Sequence, residues 1–372
     1  MKKISTLLGL IVLLCSSAPC QETEALSIGA AYVSDWGRNF TGGIKSGNFY
    51  MGLIDFGLSL NSEKAGLWKG GELYIQAENT HGSTPTADIV CDLQAFSNIE
   101  GGDFTYLYML WYKHSIGDLT AIAGVHDLNS EFVATEYGGA FINSSFGIMP
   151  AVSLNFPVSI FPKNALGLVL QYGLSDNIFI QTAVYDGDPG SLDDDPYNLD
   201  LTINDEQGFL SITEIQLSEP GDNSSGTYKL GFQYHSGDFL DYDDTTQVQE
   251  GNWGVYFIGD KAINNNAGAF LQMGYANPNY NLNHIYIGGG VNIKGFSGRE
   301  DDLLGIGFAM AGISNKFIGF DKDHETSIEL TYHLQIHDNI ILQPDMQYII
   351  NPGAISGTDN AFVGLMRFII EI

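Results

Sequence analysis

Polar and apolar residues alternate strictly along the last part of the chain. In Glu325–His337 the odd-numbered residues are all polar, whereas the even-numbered ones, such as Ile328 and Leu330, are mostly apolar. The alternation resumes after a short turn near Asp338, and the chain ends on a third alternating segment that finishes at Ile372. A period of two residues predicts β-strands with one wet and one dry face.

Segment length and spacing distinguish between two kinds of β-protein. A soluble sandwich also alternates, but here the segments reach the roughly 9–11 residues that a tilted strand needs to cross a bilayer. We count sixteen such segments, with short connections after the even-numbered ones. Long connections follow the third, fifth, seventh and ninth, near 81–103, 127–164, 187–206 and 237–250. This pattern predicts an all-β fold, a transmembrane antiparallel β-barrel with long extracellular loops and short periplasmic turns.

The N-terminus has the features of a secretory signal. Met1-Lys2-Lys3 precedes an apolar stretch and then small residues, so residues 1–20 are predicted to be a cleaved signal peptide and residues 21–372 the barrel. A lipoprotein with Cys15 or Cys20 lipidated is disfavoured, because Leu14 and Pro19 are poor residues before a lipidated cysteine. Cleavage leaves one cysteine, Cys91, which excludes an internal disulfide.

Charge and composition exclude further classes of protein. The formal charge of the 372-residue chain is −29, and such an acidic surface repels phosphate backbones, so no nucleic-acid partner is expected. Aromatic residues make up 12% of the chain, which argues against acidic disorder.

Short blocks of polar and aromatic residues are distributed through the mature chain. They are Cys91–Gln94, Ser97–Glu100, Leu107–Tyr108, Leu110–Tyr112, Gly124 with Asp127–Phe132, Phe141–Gly147, Val184–Gly190, Glu329–Tyr332, Gln343–Tyr348 and Asn351–Gly353. In content and order these blocks resemble the carbohydrate-selective porins, the OprB family.

The resemblance implies a sixteen-stranded barrel in the outer membrane of a Gram-negative bacterium, surrounded by outer-membrane lipid, through which small sugars diffuse passively. Two departures concern the sugar preference rather than the fold. Family members often have a glutamate before the Leu-Trp pair, where this chain has Met109. Arginines help to line the family's constriction, and this chain has only Arg38, Arg299 and Arg367. Whether the barrel is a monomer or a trimer is left open.

The wet face of the strands supplies the candidate channel-lining residues, since a water-filled lumen requires polar side chains. They are Glu72, Gln76, Glu78, Lys229, Gln233, His235, Asn292, Lys294, Glu329, His333, Gln335, Gln343, Asp345, Gln347, Arg367 and Glu371. The connection at 127–164 is long enough to fold inward as a constriction loop. Its candidate sugar-contacting residues are Asp127, Asn129, Glu131, Glu136 and Asn143, although the loop aromatics also fit a purely packing role.

Metal sites are not indicated. His333 and His337 are four residues apart on one strand, about 13 Å at roughly 3.3 Å per residue, which is too far to share a zinc ion. Acidic loops around Asp193–Asp195 and Asp241–Asp244 could hold Ca²⁺ but lack the EF-hand order. We therefore expect no cofactor and, by default, acidic loops that are solvated. The alternative is that these loops bind calcium.

Two alternatives to a sugar channel remain. A general cation-preferring diffusion porin without sugar selectivity is suggested by the negative charge, because an acidic mouth concentrates cations. An outer-membrane enzyme would need a nucleophile and base set, and neither G-x-S-x-G nor a Ser-x-His arrangement is present, so the chain is not expected to be an enzyme. A purely structural or adhesive barrel is equally disfavoured.

Overall fold

Sixteen antiparallel strands form a closed barrel in the computed structural model, which describes residues 25–203, 205–221, 225–296 and 298–372. The predicted signal peptide, residues 1–20, lies outside the described residues. The strands are β1 Leu26–Gly43, β2 Gly47–Asn61, β3 Gly71–Gly82, β4 Phe104–Ile116, β5 Leu119–Val125, β6 Leu166–Gly173, β7 Ile178–Asp186, β8 Phe209–Glu219, β9 Gly226–Leu240, β10 Val248–Asn264, β11 Ala267–Ala276, β12 Asn283–Lys294, β13 Leu303–Ile313, β14 His324–His337, β15 Ile340–Ile350 and β16 Asp359–Glu371.

Each strand pairs with its two neighbours in sequence, and β16 returns to pair with β1. The closing register places Val33 opposite Ile369 and Asp35 opposite Arg367. Closure leaves no unpaired edge, which is the arrangement in which strands can cross a membrane. The predicted fold class and strand number are confirmed.

The barrel wall has apolar side chains on its outside and polar side chains on its inside, the reverse of a soluble protein. On β14 the apolar Ile328 and Leu330 are each 45% exposed on the outside, whereas Glu329 between them is fully buried inside. An apolar exterior around a polar interior is stable when lipid surrounds the barrel. Among the described residues no helix is both long and apolar enough to cross a membrane.

The connections differ between the two rims. Turns of two residues, at 117–118, 265–266 and 338–339, lie on one rim, and the long connections 83–103, 126–165 and 187–208 leave the other. The prediction of a long loop at 237–250 is wrong. The β9–β10 hairpin continues to the pair Leu240–Val248, so only residues 241–247 connect these strands.

Short helical turns occur within the connections. A π-helical turn covers Thr86–Val90, and 3₁₀ turns cover Leu128–Ser130, Gly138–Ala140, Asp205–Gln207 and Pro352–Ala354. Two single-turn α-helices, α1 Ser144–Gly147 and α2 Pro150–Ser153, lie in the β5–β6 connection.

Candidate functional site: the barrel lumen

The connection between β5 and β6, residues 126–165, packs against inward-facing side chains of the opposite wall; we call it the inner segment. Phe146 of this segment is fully buried, with its ring 5.8 Å from that of Phe270 on β11. Tyr286 on β12 donates a hydrogen bond of 2.9 Å to the Ser145 carbonyl. An apolar cluster inside the barrel therefore holds the segment across the lumen.

Glycines on the inner face make room for these aromatic rings. A Cβ at Gly307 of β13 would lie 2.9 Å from the Phe141 ring and 3.0 Å from the Phe146 ring. A Cβ at Gly274 of β11 would lie 2.6 Å from the Ala151 Cβ. This glycine-rich wall is a sequence signal that marks where an inserted segment packs.

Wall carboxylates bind the backbone of the inner segment. The two carboxylate oxygens of Glu329 accept hydrogen bonds from the backbone amides of Ile142, at 2.6 Å, and Asn143, at 3.0 Å. Asp260 on β10 accepts from the Tyr137 amide at 3.1 Å and from the Thr135 hydroxyl at 2.5 Å. Each carboxyl group pairs with two otherwise unpartnered donors of the segment, so these contacts fix its path.

Cationic and amide side chains bind its carbonyls in the same way. Lys229 donates to the Ala134 carbonyl at 2.7 Å, and Asn292 donates to the Tyr137 carbonyl at 2.6 Å. The Ala140 carbonyl accepts from Gln343 at 3.0 Å. Polar side chains that would otherwise face water thus satisfy the buried backbone of an irregular segment.

A second segment, residues 91–99 between β3 and β4, also docks on the inner wall, a contact that the strand pattern does not predict. Glu325 accepts hydrogen bonds from the amides of Leu93, at 2.8 Å, and Gln94, at 3.0 Å. Gln347 donates to the Phe96 carbonyl at 2.7 Å. The sequence signals for this contact are the family-like blocks Cys91–Gln94 and Ser97–Glu100.

Most of the predicted channel-lining side chains are covered. The structure buries Gln76, Glu78, Lys229, Gln233, His235, Asn292, Glu329, Gln343, Asp345, Gln347, Arg367 and Glu371, and leaves Glu72, His333, Gln335 and Lys294 partly or fully exposed. Even His333 contacts the Ala140 carbonyl, at 2.8 Å. Which of these side chains touches a passing solute stays a prediction.

An uncovered part of the lumen wall lies on β3 and β4, and we call it the aromatic strip: Tyr74, Trp111, Glu72 and Lys113. The Tyr74 and Trp111 rings stack with centroids 5.0 Å apart. The Lys113 ammonium lies 2.6 Å from a Glu72 carboxylate oxygen and 5.3 Å from the Trp111 ring centroid. Ring faces, a cation and an anion therefore sit side by side in a partly exposed position.

The five predicted constriction-loop residues fall into two groups. Asp127, Asn129 and Asn143 hold the inner segment together; for example, Asp127 accepts from the Tyr108 hydroxyl at 2.7 Å and Asn143 from the Ser145 amide at 3.0 Å. Glu131 is partly exposed and Glu136 is exposed, and among the other three only Asn129 is partly exposed. Glu131 accepts a hydrogen bond of 2.6 Å from Gln171 on β6.

Burial sets the ionisation of the loop carboxyls. Burial raises the pKa of Glu131 to about 7, against the opposing effects of the Gln171 hydrogen bond and the nearby Lys113 and Lys229 charges. Burial likewise raises the pKa of Asp127 to about 6. Burial lowers the pKa of His126 to about 3, so this imidazole is neutral beside the Tyr185 hydroxyl.

Glu131 is expected to make the ion selectivity of a channel through this lumen depend on pH. A raised acid pKa means that the carboxylate is charged above about pH 7 and neutral below it, so we expect cation preference to fall as the pH drops through 7. Reversal potentials in a KCl gradient measure this preference. The variant Glu131→Gln should lack the step near neutrality, and an unchanged step in that variant would assign it to other carboxyls.

None of the three arginines faces the open lumen. Arg38 donates to Asn48 on the exterior, Arg299 binds Asp302 next to the β12–β13 turn, and Arg367 is buried against Asp35. Met109, at the position where the family often has glutamate, is buried. The partly or fully exposed cations of this lumen wall are therefore lysines, Lys113 on β4 and Lys294 on β12.

Calcium binding stays a prediction. Within the described ranges, no group of three or more His, Cys, Asp or Glu side chains converges so as to hold a metal ion.

Comparison with known proteins gives one family. The profile of the carbohydrate-selective porin, OprB family, matches residues 46–371. Porin B of Pseudomonas aeruginosa is 23% identical over 390 residues, covering 89% of this chain and 84% of that protein. The high-pH structure of Pseudomonas putida OprB superposes with a TM-score of 0.85 at 19% identity, covering 94% of each chain. A mutant Rhodopseudomonas blastica porin gives 0.54 at 11% identity, covering 93% of this chain and 100% of that one.

Proposed function

The chain belongs to the carbohydrate-selective porin, OprB family, and is a sugar-selective porin of the Gram-negative outer membrane; we propose that mono- and small oligosaccharides pass between the inner segment and the aromatic strip. One observation carries this proposal. Wall residues such as Glu329, Lys229 and Gln343 are covered by hydrogen bonds to inserted backbone, whereas Tyr74, Trp111, Glu72 and Lys113 lie next to one another and stay partly exposed.

The strip supplies the chemistry that sugar rings require. A sugar has an apolar face and a rim of hydroxyls that donate and accept hydrogen bonds. The paired rings of Tyr74 and Trp111 offer a flat apolar surface, while Glu72 accepts and Lys113 donates. Glu131 and Gln171 add a further acceptor and donor from the inner segment and β6.

Weak and repeated contacts suit permeation better than one deep site, since a solute that binds tightly does not leave. The strip is consistent with this requirement because its polar groups already bond to one another. A sugar hydroxyl exchanges with the Glu72–Lys113 pair rather than filling a vacant charged site, and each exchange therefore has a small net free energy.

The general cation-preferring porin remains the second candidate, and the acidic Glu131 and Glu136 are the observations that favour it. Family membership favours sugar selectivity instead. The two functions differ in one measurable respect: a sugar-selective channel shows saturable block of its ion current by glucose or maltose, and a general pore shows none.

Replacing Trp111 with leucine tests the proposed path. We expect the sugar concentration that half-blocks the ion current to rise about three- to tenfold, because ring contacts beyond simple burial contribute about 0.5–1.5 kcal/mol. Single-channel titration with glucose, maltose and a non-sugar polyol of similar size measures it. Trp253→Leu, at an exposed position on β10 outside the lumen, is the matched control and should leave the titration unchanged.

A wild-type current that no sugar blocks would contradict sugar selectivity itself. A normal sugar block that Trp111→Leu leaves unchanged would contradict only the proposed path along the strip.

A further inference from the structure

A cavity of about 440 Å³ lies where three connections meet at the rim with the long loops. Its lining comes from the start of β4 with Phe104, from the inner segment with Phe156 and Phe161, and from the β7–β8 connection with Asp188 and Asp193. We call it the mouth pocket. Its volume falls within the roughly 300–1,000 Å³ of small-molecule sites.

The lining combines apolar surface with hydrogen-bonding groups. Phe104 and Phe161 are partly exposed, and the carboxylate of Asp193 is on an exposed residue. Lys163, also in the lining, donates to the Ser191 carbonyl at 2.9 Å and lies 3.5 Å from an Asp195 oxygen. Because an ammonium has three donors, one remains for another acceptor.

The pocket adjoins the inner wall that carries the aromatic strip. Leu192 lines the pocket and also packs in a buried cluster with Tyr106 and Tyr108 of β4. Phe161 lines the pocket as well, and its ring lies 6.3 Å from that of Tyr108. Trp111 of the strip packs against the same cluster. A buried apolar cluster thus joins the wall of the mouth pocket to the strip.

We propose that the mouth pocket is a capture site that binds one ring of a neutral sugar on the extracellular side before the sugar reaches the strip. The inference rests on the proposed function. Aromatic and proline side chains contact the apolar face of the ring, Asp188 and Asp193 accept from its hydroxyls, and Lys163 donates to one of them. Sugar arriving from the periplasmic side does not meet this pocket first.

Side-specific block kinetics test the proposal on the intact protein. Glucose or maltose is added to one side of a single channel of known orientation, and the rate of current block is measured. The variants are Asp193→Asn, which removes one acceptor, and Ser191→Trp, which fills the pocket from an exposed position. Asp194→Asn is the matched control, since it removes the same charge from the same loop at a residue outside the lining.

We expect Asp193→Asn to slow block from the extracellular side about two- to tenfold, the range for one ordinary hydrogen bond, and Ser191→Trp to slow it at least as much. Block from the periplasmic side should keep its rate. The control should change neither rate, because long-range charge does not steer a neutral solute.

Unchanged extracellular rates in both variants, with normal block in the wild type, would overturn the capture site and leave the proposed function standing. Equal slowing by Asp194→Asn would also overturn it, since the effect would then not depend on contact within the pocket. No block from either side of the wild type would overturn the proposed function and the capture site together.

Discussion

Replacing Glu329 with alanine is expected to detach part of the inner segment from the wall and to raise the ion conductance of the channel. The backbone amides of Ile142 and Asn143 donate hydrogen bonds to Glu329. Both amides are buried and would lose their acceptor. A buried polar group left without its hydrogen-bond partner costs about 1–3 kcal/mol. A loss of about 3 kcal/mol increases the detached fraction of the segment more than a hundredfold.

Single-channel recording measures the change as a larger and noisier open-channel current together with weaker sugar block. Glu329→Gln should have a smaller effect, because its amide oxygen still accepts one hydrogen bond. The control Glu219→Gln removes a carboxylate at the end of β8 that pairs with Lys261. Conductance and noise equal to the wild type in Glu329→Ala would show that apolar packing alone holds the segment.

The barrel was predictable from sequence because alternation reports directly which face each side chain occupies. A one-residue slip would place Glu329 in lipid and Ile328 in the lumen, so a strand of this kind has one stable orientation. Strand ends were less predictable. The β9–β10 hairpin extends beyond the predicted loop boundary because its rim residues, such as Asp238, Phe239 and Leu240, do not alternate strictly between polar and apolar.

The covering of the lumen could not be predicted from the strands. Alternation identifies Glu329 and Gln347 as inward-facing. A water-filled lumen and an inserted segment both require polar side chains on the wall, so the two cases give the same sequence pattern. The information lies elsewhere in the chain. Buried apolar residues such as Phe132 and Phe146 in a long connection, together with glycines such as Gly307 on the inner wall, indicate an inserted segment.

The two aromatic residues of the strip escaped prediction for a different reason. Tyr74 and Trp111 are aromatic residues at inward-facing positions, where the alternation predicts polar side chains. They therefore resemble irregularities in the pattern when only the sequence is considered. In the structure the two rings stack beside the Glu72–Lys113 pair. A break in the expected pattern at a functional surface is common, because function and folding place different demands on those positions.

The seam between β1 and β16 depends on one buried ion pair. Arg367 donates through Nε and Nη2 to the two oxygens of Asp35, both at 2.8 Å, and the Ser97 hydroxyl donates to the same carboxylate at 2.7 Å. The two residues are direct partners across the seam. The pair therefore joins the ends of the barrel to each other and to the docked segment 91–99.

Replacing Arg367 with methionine is expected to lower the free energy of unfolding by about 3–5 kcal/mol, because it leaves the fully buried Asp35 carboxylate without a counter-charge. Urea titration in lipid vesicles, followed by tryptophan fluorescence, measures this change. Loss of the compact, heat-modifiable band at a lower temperature on gels provides a second measure.

The double variant Asp35→Asn with Arg367→Met distinguishes two contributions to the free energy of unfolding: the cost of an unpaired buried charge and the net stabilisation by the ion pair. Because burying two ions costs nearly as much as their attraction returns, we expect the double variant to recover most of the lost stability. Lys69→Met, which removes one partner of the exposed Glu63–Lys69 pair, should have no measurable effect. If the double variant is no more stable than Arg367→Met alone, the guanidinium stabilises the seam by packing rather than by neutralising Asp35.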